Sequence, residues 1–378
     1  MVDLQSQYKF IKDKVDKSVI NVMDNSSFIN GPSVKSFQKN LENYLDIKHV
    51  IPCANGTDAL QIAMMGLDLK PGDEVITADF TFASTVEVIA LLNLTPVLVD
   101  VELETFNIDC SKIRKAITSK TKAIVPVHLF GQSANMEEIM EIAREHKLYV
   151  VEDNAQAIGS EYQFSSGSKV KTGTIGDVGT TSFFPSKNLG CFGDGGAIFT
   201  NNDDLAHILR GIVNHGMYKR YHHDVVGVNS RLDSIQAAVL NIKLPHLDSY
   251  NKARQNAARN YTTALKNTEG ILTPEAGKKC TQICENCDCH VFHQYTIRIL
   301  NNKRDGLAKH LSDLNIPFGI YYPIPLHRQK AYLSSRYNEN DFSNTKLLCD
   351  QVISLPMHSE LELDQINFIC EKINSFLK

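Results

Sequence analysis

The segment VGTTSFFPSKNLGCFGDGGAIFT, residues 178–200, places one lysine and a glycine-dense loop between two apolar runs. The runs 178–184 and 196–200 are short and rich in Val, Ile, Thr and Phe, a composition typical of buried strands. Dense glycines can mark a dinucleotide-binding loop, but that motif requires a helix after the glycines, and a strand follows here. We therefore predict that these glycines let the backbone pass close to a cofactor beside Lys187.

Apolar runs alternate with helix-period stretches through the first part of the chain. The remaining runs are 49–53, 73–78, 95–101, 123–129 and 149–153. The stretches with apolar residues at i, i+3 and i+4 spacing are 58–67, 83–92, 111–118, 136–146 and 203–213. Near-continuous apolar strands separated by amphipathic helices predict an α/β fold with a mostly parallel central sheet covered on both faces. Binding sites in such sheets lie beyond the carboxyl ends of the strands.

The organisation changes near Leu240, where a helical stretch begins that contains Pro245 and runs to about residue 267. After it come strand-like segments at 290–300 and 318–326, a helical segment at 305–315, and a last amphipathic helix with Ile366, Ile369, Ile373 and Phe376. The chain opens with a helix that has Ile11, Val15, Val19 and Val22 on one face. We therefore predict a large α/β domain over residues 1–245 and a smaller α+β domain over 246–378.

Composition argues against several classes of function. The 378 residues carry a net charge of -4, which gives no basic field for nucleic acid or an anionic membrane. The most apolar stretch, 86–99, is interrupted by Asn93 and Pro96 and is shorter than the roughly 20 residues of a membrane helix. No apolar run follows a basic start, and nine cysteines is an odd number, so we expect reduced thiols and a cytoplasmic protein.

The first predicted strand is followed by Ala54-Asn55-Gly56-Thr57-Asp58, a glycine turn that opens a helix. The N–H groups and positive dipole end of such a helix bind phosphate, and Thr57 adds a hydroxyl. The same turn also fits a plain helix cap made by Thr or Asp. Both interpretations remain open from this motif alone.

Two further strand ends carry charged residues. Asp153 ends an apolar strand, where it either caps a loop or faces a cation such as a protonated pyridine nitrogen. Most lysines are solvated, but a partly desolvated Lys187 would have a lowered pKa and act as an amine nucleophile. An acid, a lysine and a phosphate cradle at strand ends together indicate a site for pyridoxal phosphate (PLP).

The chain also resembles a known family from about residue 28 to residue 356. The motifs that carry the resemblance are FINGPSV, ANGTDAL, PGDEVI, DFTFAST, VEDNAQAIGS, TSFFPSKNLGCFGDGGAIFTN, GVNSRLDSIQAA, YYPIPLH and SLPMH. Together they are similar to the DegT/StrS-type sugar aminotransferases, which are PLP-dependent enzymes of fold type I. The resemblance implies that fold, PLP or pyridoxamine phosphate as cofactor, and a nucleotide-linked keto-sugar as substrate.

The resemblance also implies a role for individual residues. Lys187 matches the lysine that binds the cofactor and moves a proton as general base and acid, and Asp153 matches the acid paired with the pyridine nitrogen. Lysine at this position implies transamination, because related dehydratases have histidine there. The other matching positions are phosphate contacts at Gly56, Thr57 and Ser182, and ring contacts at Gln156 and Phe82. Phe82 also fits simple core packing.

Asn229 matches a residue that reaches the phosphate of the neighbouring subunit's cofactor, which implies a homodimer with shared active sites. The chain resembles most the branch that aminates UDP-2-acetamido-2-deoxy-3-oxo-glucuronate, with L-glutamate as donor, for surface polysaccharides such as the lipopolysaccharide O-antigen. There, Arg231 and the pair Tyr321-Tyr322 match positions that face the sugar, although close relatives have His-Tyr at that pair. Arg231 either binds the uronate carboxylate or forms an ion pair with Asp233 or Glu152.

Two other functions are compatible with the sequence. One is amination of a dTDP-linked 3- or 4-keto-6-deoxyhexose, and the other is a non-catalytic regulator that binds nucleotide-sugars on the same fold. A dense cluster of possible zinc ligands comprises Cys280, Cys284, Cys287 and Cys289, followed by His290 and His293. Its spacing is irregular, so we predict an exposed hairpin insertion and no metal.

Overall fold

The computed structural model describes residues 1–274 and 289–377. Its strands are β1 (His49–Cys53), β2 (Glu74–Ala78), β3 (Thr95–Val99), β4 (Thr121–Val125), β5 (Tyr149–Asp153), β6 (Glu161–Gln163), β7 (Lys169–Lys171), β8 (Val178–Ser182), β9 (Gly196–Thr200), β10 (Met217–Lys219), β11 (His222–His223), β12 (Ile271–Leu272), β13 (Tyr295–Ile299) and β14 (Val352–Leu355). Its helices are α1 (Leu4–Asp24), α2 (Pro32–Leu45), α3 (Gly56–Gly66), α4 (Ser84–Leu91), α5 (Cys110–Ala116), α6 (Met136–His146), α7 (Asp203–Ile212), α8 (Ser234–Lys243), α9 (Leu247–Leu265), α10 (Arg304–Asp313), α11 (Ser343–Gln351) and α12 (Leu363–Leu377). Within these described ranges, no helix has the length and apolar composition needed to span a membrane.

Seven strands form the central sheet in the order β1-β9-β8-β5-β4-β2-β3. β9 runs antiparallel to both of its neighbours, whereas β8, β5, β4, β2 and β3 pair in parallel. Strands β2 and β9 are buried along their whole length, as expected for a sheet covered on both faces. The predicted α/β fold with a mostly parallel sheet is confirmed, and the carboxyl ends of β2, β5 and β8 meet at one edge.

Helices cover both faces of this sheet because each presents an apolar stripe. On one face, α5 and α6 pack against β4 through Ile113, Ile139 and Ile124. On the other face, α3 and α7 pack together through Ile62 and Leu209. The loops that leave the carboxyl ends of the strands are therefore anchored on a rigid base.

The N-terminal helix α1 lies against α8. Ile11 and Val15 contact Val239 and are buried, and Val22 is buried as well. Val19 is only partly buried at the margin of the same cluster. The apolar face predicted for this helix is therefore confirmed.

A second sheet of three antiparallel strands has the order β12-β13-β14. Helices α9, α10 and α12 contribute Tyr261, Leu307 and Ile369 to the apolar cluster around it. All members of that cluster follow residue 246 in the chain. The domain boundary at residue 245 stays a prediction.

Some elements differ from the prediction. Residues 318–326 are not a strand, and only Gly319 forms a bridge, with Ser354. Pro323 and Pro325 explain this difference, because proline lacks the N–H group that a strand ladder requires. β14 pairs with β13 instead. Helix α2 is also absent from the prediction, although Pro32 stands at its start, where proline is favoured.

Candidate active site

Asp153 lies at the carboxyl end of β5 and is 4% exposed. The hydroxyl of Thr85, in the first turn of α4, donates to its Oδ2 at 2.8 Å, and the backbone N–H of Ala155 donates to Oδ1 at 3.2 Å. A buried carboxylate needs such donors, since leaving it unpaired is costly. Thr85 fixes the orientation of Asp153 from the end of a different strand.

Lys187 lies in the loop between β8 and β9, and its side chain is partly buried. Burial lowers the pKa of its amine to about 8, and the negative charge of Asp153 acts in the opposite direction. The loop is held firmly, because Asn188 donates to the side chain of Asn251 at 2.7 Å and Lys243 donates to the carbonyl of Gly190 at 2.8 Å. The structure thus brings the predicted lysine and acid within electrostatic reach of each other.

Gly56 begins α3, and its backbone lies against the end of β8. A Cβ atom on Gly56 would lie 2.7 Å from Cβ of Ser182, so the contact requires glycine. The helix is capped by Asn55, which accepts from the N–H of Asp58 at 2.8 Å. The structure therefore assigns the cap to Asn55, not to Thr57 or Asp58. A helix N-terminus flanked by the hydroxyls of Thr57 and Ser182 is a suitable phosphate cradle.

Aromatic side chains form one wall of the same region. The ring of Phe82 is 57% exposed, which contradicts simple core packing, and its centroid lies 6.4 Å from that of Tyr322. Gln156 donates to the hydroxyl of Tyr322 at 3.3 Å and accepts from the N–H of Phe130 at 2.7 Å. Burial raises the pKa of Tyr322, so its hydroxyl stays protonated. Tyr321 is a ring neighbour of Tyr322, with centroids 6.1 Å apart.

The segment that carries Asn229 and Arg231 lies beside the phosphate cradle. Ser230 accepts from the N–H of Ala54 at 3.1 Å, and Asn229 is exposed. Arg231 donates to Oδ1 of Asn214 at 3.1 Å. In the described part of the chain, no carboxylate lies within ion-pair distance of Arg231, and no hydrogen bond or cation–π contact joins it to the Tyr321-Tyr322 pair.

The alternative ion pairs of Arg231 are therefore wrong. Glu152 instead accepts from His128 at 2.9 Å and from the backbone N–H groups of Gly173, Ile175 and Gly176. These donors satisfy a fully buried carboxylate. Among the residues that the structure describes, the guanidinium of Arg231 hydrogen-bonds only to the neutral amide of Asn214.

Two neighbours of the site are missing from the sequence-based prediction. Thr85 contacts Asp153 directly, and its place at the start of a helix after β2 is a signal that could have identified it. His293 is 6% exposed, and burial lowers its pKa well below the usual value, with the charges of Lys187 and Arg254 adding to the effect. In the sequence His293 is marked only as a member of the Cys/His cluster, and no local pattern places it near Lys187, which is distant in the chain.

The structure describes only part of the predicted cysteine cluster. Cys289 is disulfide-bonded, which corrects the expectation of reduced thiols for this residue. Cys280, Cys284 and Cys287 lie outside the described residues. Within residues 1–274 and 289–377, no group of three or more His, Cys, Asp or Glu side chains is arranged to hold a metal ion.

The arrangement fits PLP on structural grounds. It combines an amine of lowered pKa, a buried carboxylate within its reach, and a helix start whose glycine cannot accept a side chain. Such an amine forms a covalent bond to an aldehyde, the carboxylate stabilises a protonated ring nitrogen, and the helix start binds a phosphate.

Known proteins resemble this chain over its full length. The model of the DegT/DnrJ/EryC1/StrS aminotransferase family matches residues 9–374. A "pleiotropic regulatory protein" of Geobacillus stearothermophilus is 44% identical over 100% of this chain and 98% of its own length. The UDP-2-acetamido-2-deoxy-3-oxo-D-glucuronate aminotransferase of Pseudomonas aeruginosa is 42% identical over 99% of both chains. The UDP-N-acetyl-3-dehydro-alpha-D-glucosamine 3-aminotransferase of Acidithiobacillus ferrooxidans is 41% identical over 100% of this chain and 97% of its own.

Solved structures agree with these relatives. DesV of S. venezuelae, in complex with a ketimine intermediate, superposes with a TM-score of 0.92 at 35% identity, covering 100% of this chain and 98% of DesV. NtdA from Bacillus subtilis, with bound cofactor PMP, superposes with a TM-score of 0.86 at 30% identity, covering 97% and 81%. The chain therefore belongs to the DegT/DnrJ/EryC1/StrS aminotransferase family and is a PLP-dependent nucleotide-sugar aminotransferase of fold type I.

Proposed function

We propose that the substrate is UDP-2-acetamido-2-deoxy-3-oxo-glucuronate, which the enzyme converts to the 3-amino sugar with L-glutamate as donor. The observation that carries this proposal is the guanidinium of Arg231, which is partly buried and, among residues 1–274 and 289–377, hydrogen-bonds only to the neutral amide of Asn214. A guanidinium in this state is suited to a carboxylate, which it can bind with two parallel hydrogen bonds. The name of the relative from P. aeruginosa supports the same substrate.

The geometry of the site supports the roles that the family resemblance implies for its residues. PLP supplies an electron sink for the carbon that gains or loses the amino group. Lys187 holds the cofactor and moves the proton at that carbon. A pKa of about 8 suits this task, because a group with such a pKa can both accept and donate a proton near neutral pH. Asp153, oriented by Thr85, keeps the ring nitrogen protonated. Gly56, Thr57 and Ser182 bind the phosphate, while Gln156 and Phe82 contact the ring.

We further propose a homodimer in which Asn229 reaches the partner subunit's phosphate. Asn229 is exposed and stands beside exposed apolar side chains of the same segment, including Val226 at 85%. Phe28 and Ile29 are also about half exposed; Ile29 forms a bridge with Asp233, and the carbonyl of Phe28 accepts from the N–H of Ser234. Exposed apolar side chains of this kind favour burial against another subunit. The proposed location is the cytoplasm, and the proposed pathway is surface polysaccharide synthesis, such as that of the O-antigen.

A substrate comparison tests this proposal. The PLP-loaded enzyme receives L-glutamate and one of three keto-sugars. The first is the 3-oxo-glucuronate, and the second is UDP-N-acetyl-3-dehydro-glucosamine, which has a hydroxymethyl group in place of the carboxylate. The third is a dTDP-linked 3-keto-6-deoxyhexose. We expect kcat/KM for the uronate to exceed the others by at least about tenfold, since only it offers a carboxylate to Arg231.

Each other outcome has a definite meaning. A preference for either neutral sugar would contradict the uronate proposal and leave the aminotransferase assignment intact. An enzyme that exchanges no amino groups between glutamate and 2-oxoglutarate would point instead to the regulatory role that the name of the G. stearothermophilus relative suggests.

A further inference from the structure

Asp79 and His327 form a buried pair outside the residues assigned so far. Asp79 directly follows β2, and His327 ends the YYPIPLH motif. The backbone N–H of His327 donates to Oδ1 of Asp79 at 2.8 Å, and its Nδ1 lies 2.6 Å from Oδ2. The side chains of His327 and Asp79 are 3% and 0% exposed, respectively. Because one residue engages both oxygens, the carboxylate and the imidazole are fixed relative to each other.

The surroundings hold this pair in place. The imidazole stacks on the ring of Phe342, with centroids 4.2 Å apart and an interplanar angle of 18°. Its Nε2 lies 3.6 Å from Glu339, which is itself bound by Arg328. Desolvating such a pair costs free energy, so stability alone is a weak reason for burying it. A fixed geometry between two segments is the better explanation.

Both segments joined by the pair carry residues of the site. The loop that starts at Asp79 contains Phe82, and the helix after it supplies Thr85, which donates to Asp153. The segment that ends at His327 contains Tyr322. The ring centroids of Phe82 and Tyr322 are 6.4 Å apart with an interplanar angle of 43°, and the carbonyl of Asp79 accepts from the N–H of Leu326 at 3.3 Å.

We propose that Asp79 and His327 are positioning residues for the cofactor site. Their bond sets the distance between the loop that carries Phe82 and the segment that carries Tyr322, and so fixes the aromatic wall of the site. The inference rests on the proposed contact of Phe82 with the cofactor ring. When this aromatic wall is misplaced, cofactor binding weakens even though every residue that contacts the cofactor is present.

The test is a titration of the apoprotein with PLP, followed by visible absorption and by circular dichroism of the bound cofactor. His327→Ala removes the pair and should weaken PLP binding about tenfold and change the dichroism. His327→Asn places an amide nitrogen where Nδ1 stands and should stay within about threefold of the wild type. The control is His49→Ala, which breaks an exposed His–Asp pair of equal length, 2.6 Å, at the amino end of β1 and should change neither signal.

The readouts separate a positioning role from a purely structural one. A lower melting temperature for His327→Ala, with unchanged PLP affinity and dichroism, would overturn the inference. Should His327→Ala fail to fold, His327→Asn and His327→Gln decide, because glutamine places its amide nitrogen at the Nε2 position and cannot reach Asp79 in the same way. Equal PLP affinity for these two variants would contradict the proposal. A wild type that fails to bind PLP would overturn both this inference and the site assignment.

Discussion

The amine of Lys187 yields a prediction that can be worked out in numbers. Burial lowers its pKa from 10.5 to about 8. At pH 7, about one amine in ten is then neutral, against roughly one in three thousand for an ordinary lysine. Since only the neutral amine attacks an aldehyde, Lys187 should be roughly 300-fold richer in the reactive form than a solvated lysine.

The pH dependence of PLP uptake tests this value. The rate at which apoprotein binds PLP should rise about tenfold per pH unit below pH 8 and level off above it, because the neutral fraction saturates there. Asp153→Asn removes the charge that raises the pKa of Lys187, so its plateau should begin at a lower pH. Stopped-flow visible absorbance measures both rates.

Two controls make the result interpretable. The reaction of PLP with N-α-acetyllysine in the same buffers corrects for ionisation of the aldehyde itself. Lys187→Arg keeps a positive charge without a reactive amine and should give no visible band. A wild-type rate that keeps rising to pH 10 would refute the reasoning, because it would show a lysine with an ordinary pKa.

Three further predictions concern the rest of the site. Gly56→Ala places a methyl group 2.7 Å from Cβ of Ser182 and should lower the free energy of unfolding, measured by urea titration, by about 1–3 kcal/mol. The Gly56→Ala/Ser182→Gly double variant removes this clash and should recover the lost stability. Arg231→Met should raise KM for the uronate at least about tenfold and leave a neutral keto-sugar unaffected; equal losses for both would contradict carboxylate recognition. Burial lowers the pKa of Lys243 to about 8. Between about pH 8 and 10.5 the unfolded state therefore binds more protons at Lys243 than the folded state does, so this residue makes the free energy of unfolding rise with pH. Lys243→Met should flatten this rise, as measured by urea titrations at several pH values.

Most of the central sheet is predictable from periodicity alone. Each of its seven strands overlaps a predicted apolar run, although β4 begins two residues before its run, because strands buried on both faces are apolar along their length. The strand predicted at residues 318–326 is wrong because an apolar segment need not be a strand. That segment is apolar because Tyr321 and Tyr322 pack against the apolar cluster on the α5 and α6 face of the central sheet. Its prolines prevent strand pairing.

Some residues of the site can be identified from their local sequence, whereas their contacts depend on residues that are distant in the chain. Lys187 and Asp153 are predictable because a charged residue directly after a buried strand needs a partner or a function. Asp79 and Thr85 carry a comparable local signal, since one directly follows β2 and the other lies in the first turn of the next helix. No local pattern identifies the residues to which they bond. Thr85 meets Asp153 across 68 residues of sequence, and Asp79 meets His327 across 248, so only the folded topology brings them together.

The most direct test of the account is the transfer of labelled nitrogen. Wild-type enzyme and Lys187→Ala are each incubated with PLP, nitrogen-15 L-glutamate and UDP-2-acetamido-2-deoxy-3-oxo-glucuronate, and the sugar product is analysed by mass spectrometry. We predict labelled amino-sugar from the wild type and none from the variant, because Lys187 is the group that holds the cofactor and moves the proton. Labelled product from the variant at the wild-type rate, or none from wild-type enzyme with PLP bound, would contradict the account.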